Sequence, residues 1–504
     1  MRFLLFSLLL VSGLHAAPPN IVILYADDMG YGDLGANNHD SKIPTPSLDR
    51  LAAEGMRFTD GHSSSGICTP SRYALLTGRH HWRDFHGIVN AMGATVFKPD
   101  QLTLPGMLRE KGYTTACIGK WHLGWDWDAI KVPGAKTNAD ENSRKKSRFW
   151  GHEDFDWSKP IPGGPLARGF DYYFGDNVIN FPPYCWIEND KVTRVPDVSF
   201  TPGQHKTTTK EGNWEARPGP ALADWDFYQV LPTLADKGVA WIESQKDSEK
   251  PFFLYFPFPS PHAPIIPNDE FDGKSQAGPY GDFVYQTDHI CGRLMEALEK
   301  AGKSDNTLII FTADNGAEFY AYARDEKYDH WSSAPLRGLK RDIHEGGHRV
   351  PFIVKWPGVI KPGSVSNALI SQTDILATLA SMVSYELPSS SAEDSFDFLP
   401  YLRGKSDAGP RDEMVHNTFK GKYAFRQGDW LLIDSKSGDE RKVPSAWMNK
   451  HKVPEDSQSV GLYNLKDDIG QRHNLAAKNP EKVAQLQARL KEIRTGEHSA
   501  PRLD

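Results

Sequence analysis

The sequence has few cysteines, and it has no long apolar run after its first residues. The four cysteines are irregularly spaced and form no CxxC pair, which argues against a zinc site and against a disulfide-stapled scaffold. The net charge of −7 is modest for 504 residues, and Lys and Arg are spread along the chain. These absences predict a protein that binds neither nucleic acid nor a membrane. The cysteines are Cys68, Cys117, Cys185 and Cys291.

The only membrane-targeting pattern is at the N-terminus. Residues 1–17, MRFLLFSLLLVSGLHAA, combine a basic start, a short apolar stretch and small residues, as a secretory signal peptide does. No cysteine follows at the expected cleavage point, so a lipid anchor is not supported. We therefore expect a protein that is periplasmic or secreted, with a large domain over residues 18–385 and a smaller domain over residues 386–504.

Five apolar runs predict the strands of one large sheet. NIVILYA, from Asn20, is continuous and rich in β-branched residues, which is typical of a strand buried on both faces. Similar runs lie at residues 113–119, 251–258, 306–313 and 349–358, with helical periods at 46–55 and 103–111 between them. This alternation predicts an α/β fold in which helices sandwich a large, mostly parallel or mixed sheet.

The C-terminal segment differs in pattern and predicts a small α+β domain. It has short amphipathic pieces, DWLLID and GLYNL, and then a helical pattern. Asn479 is placed to cap that helix, Pro480 suits its first position and Gly496 could end it. The apolar stripe of this helix is Val483, Leu486, Leu490 and Ile493.

Polar clusters follow four of the five runs at the point where each run stops. Because ligands bind beyond the carboxyl ends of the strands in such sheets, we expect the clusters to share one site. Carboxylate and amide oxygens suit Ca²⁺ or Mg²⁺ rather than zinc. For any single aspartate after a strand, a turn or a helix cap is the ordinary alternative. The clusters are Asp27-Asp28, Lys120-Trp121-His122, Ser260-Pro261-His262 and Asp314-Asn315.

Cys68 lies in the stretch CTPSRYALLTGR, residues 68–79. Thr69 can cap a helix and Pro70 suits its first position, which predicts that Cys68 lies just ahead of a helix N-terminus. Such a position attracts anions, and Arg72 would add a positive charge one turn later. The alternative for an isolated cysteine is a packed thiol beside a helix cap.

This stretch and six others resemble, in order, the signatures of the formylglycine-dependent sulfatases. In that family, the cysteine of C-x-P-x-R is oxidised to an aldehyde after synthesis. The resemblance spans the mature chain and implies an alkaline phosphatase-like fold. The other matching segments are ADDMGYGDLG (26–35), IGKWHLG (118–124), SPHAP (260–264), TADNG (312–316), LRGLKRDIHEGGHRVP (336–351) and GLYNLKDD (461–468).

The resemblance implies a role for each site residue. A formylglycine-generating or radical maturation enzyme would convert Cys68, and the hydrated aldehyde would supply an oxygen nucleophile. Arg72, Lys120 and Lys340 would hold the sulfate. His262 would protonate the leaving oxygen, with help from Lys340, and His122 would then take a proton from the nucleophile so that sulfate leaves. The implied ligands of Ca²⁺, or alternatively Mg²⁺, are Asp27, Asp28, Cys68, Asp314 and Asn315.

The sequence departs from the family around Lys340. Leu339 stands where relatives often have glycine, and Arg341 stands where a small residue is common. We therefore expect the backbone beside Lys340 to differ from that of typical members.

The resemblance favours an exported enzyme that removes sulfate from a sulfated carbohydrate. Aromatic faces stack on sugars, so several aromatic residues in loops are candidates for substrate contact, with burial in the core as the alternative. They are Trp82, Trp125, Trp127, Tyr184 and Trp186.

Three other functions fit parts of the pattern. A phosphonate monoester or phosphodiester hydrolase of the same superfamily could use the same metal and cations. A simple metal phosphatase needs Ser or Thr as nucleophile, and Cys68 within C-x-P-x-R counts against it. A catalytically silent glycan-binding relative would have lost site residues, whereas every expected residue type is present.

Overall fold

A computed structural model describes residues 17–139, 148–202, 209–455 and 458–501 of the chain. Residues 1–16, and with them nearly all of the predicted signal peptide, lie outside the described residues, so the signal peptide stays a prediction. Among the described residues, no helix combines the length and the apolar character that crossing a bilayer requires.

The strands include every apolar run that predicted one. Asn20–Ala26 matches its run residue for residue, and the others differ by a few residues at their ends. In chain order the strands of the described residues are β1 (Asn20–Ala26), β2 (Met56–Phe58), β3 (Gly61–His62), β4 (Thr114–Ile118), β5 (Asn138–Ala139), β6 (Arg148–Phe149), β7 (Tyr172–Gly175), β8 (Ile187–Glu188), β9 (Lys191–Val192), β10 (Val198–Phe200), β11 (Gly219–Ala221), β12 (Phe252–Pro257), β13 (Thr307–Ala313), β14 (Phe352–Lys355), β15 (Ser364–Ser366), β16 (Ile370–Ser371), β17 (Glu413–Asn417), β18 (Tyr423–Gln427), β19 (Trp430–Ile433) and β20 (Gly461–Asn464).

The helices lie between these strands and after them. The helical periods at 46–55 and 103–111 correspond to helices with nearly the predicted bounds. The α-helices of the described residues are α1 (Pro46–Glu54), α2 (Cys68–Thr77), α3 (Leu104–Glu110), α4 (Val230–Ser244), α5 (Gly278–Lys300), α6 (Ala321–Tyr328), α7 (Glu345–His348), α8 (Ile375–Met382), α9 (Leu399–Leu402), α10 (Ser445–His451) and α11 (Pro480–Thr495).

Ten strands form the large mixed sheet, in the order β15-β2-β14-β13-β1-β12-β4-β7-β8-β9. The central strands β13, β1, β12, β4 and β7 are parallel, and β14 pairs antiparallel with β13. Consecutive residues of β1 face opposite sides, so Val22 and Leu24 enter one core while Ile21 and Ile23 enter the other. Helices α1, α4 and α5 cover the first face, and α2, α3 and α8 cover the second. The predicted α/β sandwich is confirmed.

The parallel strands end at one edge of the sheet, and this edge carries the predicted polar clusters. Asp27 follows β1 directly, Asp314 follows β13, and Lys120 lies two residues beyond β4. Ser260 lies three residues beyond β12, and its carbonyl accepts a hydrogen bond from Asp27 N at 2.9 Å. The register of the central sheet therefore positions the site.

A separate four-stranded antiparallel sheet, β17-β18-β19-β20, forms the smaller unit together with α11. Helix α11 begins at Pro480 with Asn479 before it and ends before Gly496, as predicted. Its four predicted apolar residues are buried against this sheet. The small α+β domain is thus confirmed, whereas the boundary between residues 385 and 386 stays a prediction.

The aromatic residues predicted to contact sugar are mostly core residues, so that expectation is corrected. Trp125, Trp127 and Tyr184 are at most 3% exposed and pack in the two cores of the large sheet. Trp82 packs with the small sheet, and Trp186 lies against the core around Phe174. These large aromatic side chains fill space beneath the long connections that carry them.

All four cysteines are buried free thiols.

Replacing Leu490 by alanine should destabilise the small domain by about 2–5 kcal/mol, because the loss of the buried leucine side chain leaves a cavity where α11 packs on the sheet. Hydrogen exchange measured by mass spectrometry should show faster amide exchange in α11 and β17–β20. Lys491→Ala, at the neighbouring exposed position, should stay within about 0.5 kcal/mol. Equal exchange in both variants would contradict the packing of α11.

Candidate active site

The residues after β1 and β13 form the centre of the site. Asp28 N donates to Asp314 Oδ1 at 3.2 Å, and Asn315 Nδ2 donates to Asp28 Oδ1 at 2.7 Å. Asp28 has a left-handed backbone, with φ of 65°, which turns the chain immediately after β1. All four side chains, those of Asp27, Asp28, Asp314 and Asn315, are fully buried. Two strand ends therefore bring three carboxylates and one amide together, as predicted.

Arg72 and Lys120, which lie in different parts of the fold, neutralise the carboxylates of Asp314 and Asp27. Arg72, one turn into α2, donates to Asp314 Oδ2 through Nε at 3.1 Å and through Nη2 at 2.8 Å. The same Nη2 lies 3.6 Å from Asp27 Oδ2, and Lys120 Nζ donates to that oxygen. Arg72 Nη1 also donates to the carbonyl of Lys120 at 3.2 Å. One guanidinium thus reaches both strand ends.

Lys340 completes the charge compensation. Its Nζ donates to Asp28 Oδ2 at 2.8 Å. Arg341, beside it, has a left-handed backbone with φ of 78° and donates to both oxygens of Glu318 at 2.6 Å. Burial alone would raise the pKa of Glu318, but Lys340 and Arg341 lower it to about 2. Arg341, one of the two departures from the family pattern, thus combines a left-handed backbone with a pairing to a buried glutamate.

The carboxylates are crowded enough to favour a cation. Burial and the neighbouring Asp27 raise the pKa of Asp314 to about 7. Burial opposes ionisation of Asp27 too, yet Lys120 and His262 hold its pKa well below the usual range. In the described part of the chain, Asp27 Oδ1 and Asn315 Oδ1 have no hydrogen-bond partner although both are buried. Unpartnered hard oxygens beside crowded carboxylates fit a divalent cation such as Ca²⁺ or Mg²⁺.

The Cys68 thiol interacts electrostatically with this group of charges. Burial raises the pKa of its thiol, while Lys120 and Lys340 act to lower it and Asp314 and Asp27 act to raise it. The helix begins at Cys68 itself, after Ile67, so Cys68 lies in the first turn rather than ahead of it. The predicted start, with Thr69 as cap and Pro70 as first helical residue, is thus wrong by two residues, and Thr69 forms other hydrogen bonds instead of capping. Its hydroxyl donates to the His122 carbonyl at 2.9 Å and accepts from Val89 N at 3.1 Å.

His122 is held in one orientation with one nitrogen free. Its Nε2 lies 3.0 Å from the Val89 carbonyl, so Nε2 carries the proton in the neutral ring. Nδ1 is buried and has no partner among the described residues. Burial and the nearby Lys120 lower the pKa of His122. The ring is therefore a neutral imidazole with an available lone pair on Nδ1.

His262 lies on the other side of the carboxylates. Its Nδ1 lies 2.5 Å from the Ala263 carbonyl, and its Nε2 lies 3.7 Å from Asp28 Oδ2. Burial and Lys340 lower its pKa. His262 and Lys340 are 8% and 6% exposed, whereas the other predicted site residues are at most 3% exposed. The site is therefore most exposed at His262 and Lys340.

Sequence reasoning did not single out two residues that support the site. The hydroxyl of Tyr280, in α5, lies 2.8 Å from the Asp28 carbonyl and 2.7 Å from Asp33 Oδ2. No strand end lies near Tyr280 in sequence, so no local pattern points to it. Glu318, which pairs with Arg341, lies four residues beyond Asp314. Because Glu318 follows the TADNG segment closely, its position in the sequence could have marked it as a residue near the site.

At the edge of this mixed α/β sheet, cations and a candidate nucleophile surround clustered carboxylates. Such a site is typical of an enzyme that acts on anionic esters. A family model described as Sulfatase matches residues 19–385, and the chain belongs to the sulfatase family. It is therefore an enzyme that hydrolyses sulfate esters.

Relatives and solved structures share nearly the whole chain. The chain is 32% identical to an N-acetylgalactosamine-6-O-sulfatase of Bacteroides thetaiotaomicron, over 96% of this chain and 94% of the relative. It is 32% identical to human arylsulfatase A, over 93% of this chain and 85% of the relative. A solved 6S-sulfatase from work on glycosaminoglycan metabolism by Bacteroides thetaiotaomicron is 29% identical, with a TM-score of 0.77. That match covers 95% of this chain and all of the solved one.

Replacing Tyr280 by phenylalanine should lower kcat/KM for a sulfate ester about tenfold, because a hydrogen bond to a charged group contributes about 1.5–3 kcal/mol. Without the hydroxyl, the turn that carries Asp28 loses a contact. Tyr285→Phe in the same helix is the control, since that ring is only partly buried. Equal kcat/KM in the wild-type enzyme and Tyr280→Phe would contradict a supporting role.

Proposed function

We propose that this enzyme removes sulfate from a sulfated carbohydrate through an oxidised Cys68 and a divalent cation. The observation that supports it most is the convergence of Arg72, Lys120 and Lys340 on three buried carboxylates. Two of these carboxylates, Asp27 and Asp314, interact electrostatically with Cys68. The relatives named for N-acetylgalactosamine 6-sulfate make a hexosamine 6-O-sulfate the first substrate to test.

The cation would be held by the oxygens of Asp27, Asp28, Asp314 and Asn315, with residue 68 as a further ligand. Ca²⁺ is the proposed ion, and Mg²⁺ is the alternative. When bound, it would withdraw electron density from the sulfate oxygens and orient them. Asp27 Oδ1 and Asn315 Oδ1 are the two unpartnered atoms, among the described residues of this set, that support this assignment.

The charges of the site then favour an anionic ester. When all three are ionised, Asp27, Asp28 and Asp314 carry three negative charges, which Arg72, Lys120 and Lys340 match one for one. A divalent cation would make the pocket positive by about two charges, and burial keeps that field unscreened by water. The resulting potential would offset the repulsion between an oxygen nucleophile and the sulfate oxygens.

Cys68 would be converted to formylglycine by a maturation enzyme of the formylglycine-generating or radical type. The hydrated aldehyde would supply an oxygen nucleophile, which a thiol cannot replace. The raised pKa of the unmodified thiol supports this view, since burial disfavours the thiolate as a nucleophile.

The two histidines are placed for different proton transfers. His262 lies on the open side with Lys340, where the sugar would be attached, and the Asp28 carboxylate would stabilise a proton on its Nε2. It would therefore protonate the leaving oxygen. His122 is more enclosed, and its free Nδ1 lone pair suits removal of a proton from the nucleophile.

The other hypotheses receive less support. A phosphonate monoester or phosphodiester hydrolase would use the same cations, but the relatives are named as sulfatases. A simple metal phosphatase lacks its Ser or Thr nucleophile, because Cys68 occupies that position. A silent glycan-binding relative does not explain why every metal-binding and catalytic residue type is present in one pocket. We further propose that the enzyme is exported, from the pattern of residues 1–17.

Mass spectrometry of the enzyme produced with a maturation partner should find an aldehyde at residue 68. Cys68→Ala should reduce kcat by more than about 10³-fold, which is the scale for losing a nucleophile. Cys117→Ala is the matched control, because that thiol is also buried but lies in β4. An unmodified Cys68 in a fully active preparation would overturn the proposed nucleophile.

The substrate class is tested by defined sulfated monosaccharides assayed beside sulfate, phosphate and phosphonate esters that share one aryl leaving group. We expect the highest kcat/KM on a sulfated sugar, with hexosamine 6-O-sulfate ahead of other ring positions. Among the aryl esters, the sulfate should be hydrolysed fastest. A phosphonate or phosphodiester hydrolysed faster than every sulfate ester would support the alternative instead.

A further inference from the structure

Three buried histidines from distant parts of the chain meet outside the active site. His62 lies in β3, His348 ends α7 and His416 lies in β17 of the small domain. All three are fully buried, and one ring nitrogen of each lies within 4.8 Å of the others. The cluster therefore joins the large sheet's domain to the small one.

The hydrogen bonds of two of these histidines leave a place for a cation. His62 Nε2 lies 2.7 Å from Asp60 Oδ1, and His348 Nε2 lies 3.3 Å from the Ile343 carbonyl. Both partners accept hydrogen bonds, so each Nε2 carries the proton in a neutral ring. The two Nδ1 atoms then face each other as bare lone pairs, 3.1 Å apart.

His416 supplies the second, independent observation. Its ring stacks on His348, with centroids 3.6 Å apart, and lies 5.1 Å from the ring of His62. Neither its Nδ1 nor its Nε2 has a hydrogen-bond partner among the described residues. A buried imidazole with both nitrogens unpartnered is costly unless one of them binds something.

The charged side chains around the cluster balance one another. Asp60 pairs with Arg426 at 2.8 Å and with Arg349 at 3.3 Å, and Glu345 pairs with Arg349 at 3.2 Å. Asp60 Oδ1, 2.7 Å from His62 Nε2, would balance either a proton on His62 or a metal ion bound through its Nδ1. Together with the Ile343 carbonyl, Asp60 matches the outer partners that orient metal-binding histidines.

We propose that His62, His348 and His416 bind one transition-metal ion of the zinc type, in a structural site separate from the catalytic cation. Two nitrogens bound to one Zn²⁺ at about 2.0–2.1 Å with tetrahedral geometry lie about 3.3 Å apart, close to the separation seen here. A turn of the His416 ring about its Cβ–Cγ bond would direct one nitrogen to the ion. Imidazole ligands select zinc, copper or nickel, whereas the oxygens of the catalytic site select Ca²⁺ or Mg²⁺.

The metal site would stabilise the chain segment that connects His62 to Cys68, the proposed nucleophile. His62 is six residues before Cys68, and Ser65 in that connection donates to the Asn417 carbonyl at 2.7 Å, next to His416. A metal ion at the three histidines would tie this connection to the small domain.

The test is zinc binding by the full, untagged chain. After removal of metals, the protein is dialysed against ZnCl₂ with excess Ca²⁺, so that the oxygen site is filled, and zinc is measured by plasma mass spectrometry. We expect one equivalent of Zn²⁺ in the wild-type protein and in His473→Ala, whose side chain is 77% exposed. His416→Ala should lose that equivalent and the accompanying rise in Tm.

Cobalt gives a readout that does not depend on folding of the variant. Co²⁺ bound by three imidazoles should show visible d–d absorption in the wild-type protein, and added Zn²⁺ should abolish it. Absence of Zn²⁺ from the wild-type protein would overturn the proposal and leave a cluster joined by a proton only. Equal Zn²⁺ content in folded His416→Ala would also overturn it.

Discussion

The structure depends on one electrostatic balance at the carboxyl edge of the large sheet. Asp27, Asp28 and Asp314 are fully buried, and a buried carboxylate is stable only when it is paired. Arg72 arrives from α2, Lys120 from the end of β4, and Lys340 from the segment before α7. Each cation fixes its own element against the strand ends. The catalytic geometry and the docking of these elements on the sheet therefore have the same origin.

The same balance explains how the site is poised for an anion. Two acceptor oxygens, Asp27 Oδ1 and Asn315 Oδ1, have no donor in the described part of the chain. Lys340 and Arg72 donate to the Oδ2 atoms of Asp28 and Asp314, whose Oδ1 atoms accept from Asn315 Nδ2 and Asp28 N. Added positive charge at the unpartnered oxygens would convert a neutral cluster into an anion-binding one. Burial of the whole group makes that change large, because water cannot screen it.

Local sequence patterns predicted much of this arrangement. The continuous apolar run of β1 predicts a strand buried on both faces, and parallel strands must end at one edge, so Asp27 and Asp314 could be placed together. Tyr280 could not, because it reaches Asp28 from a helix more than two hundred residues away. The aromatic residues were ambiguous for a related reason: an aromatic residue in a loop has the same local pattern whether it contacts sugar or packs in the core, and Trp125 and Tyr184 are core residues.

The most direct test of the proposed cation and nucleophile is a crystal structure of the matured enzyme with Ca²⁺ and a sulfated sugar that is not turned over. If this assignment is right, one ion lies about 2.3–2.6 Å from oxygens of Asp27, Asp28, Asp314 and Asn315. The modified side chain of residue 68 should lie between that ion and the sulfate, with Lys340 and His262 toward the sugar. An ion bound elsewhere, or a sulfate held away from residue 68, would contradict it.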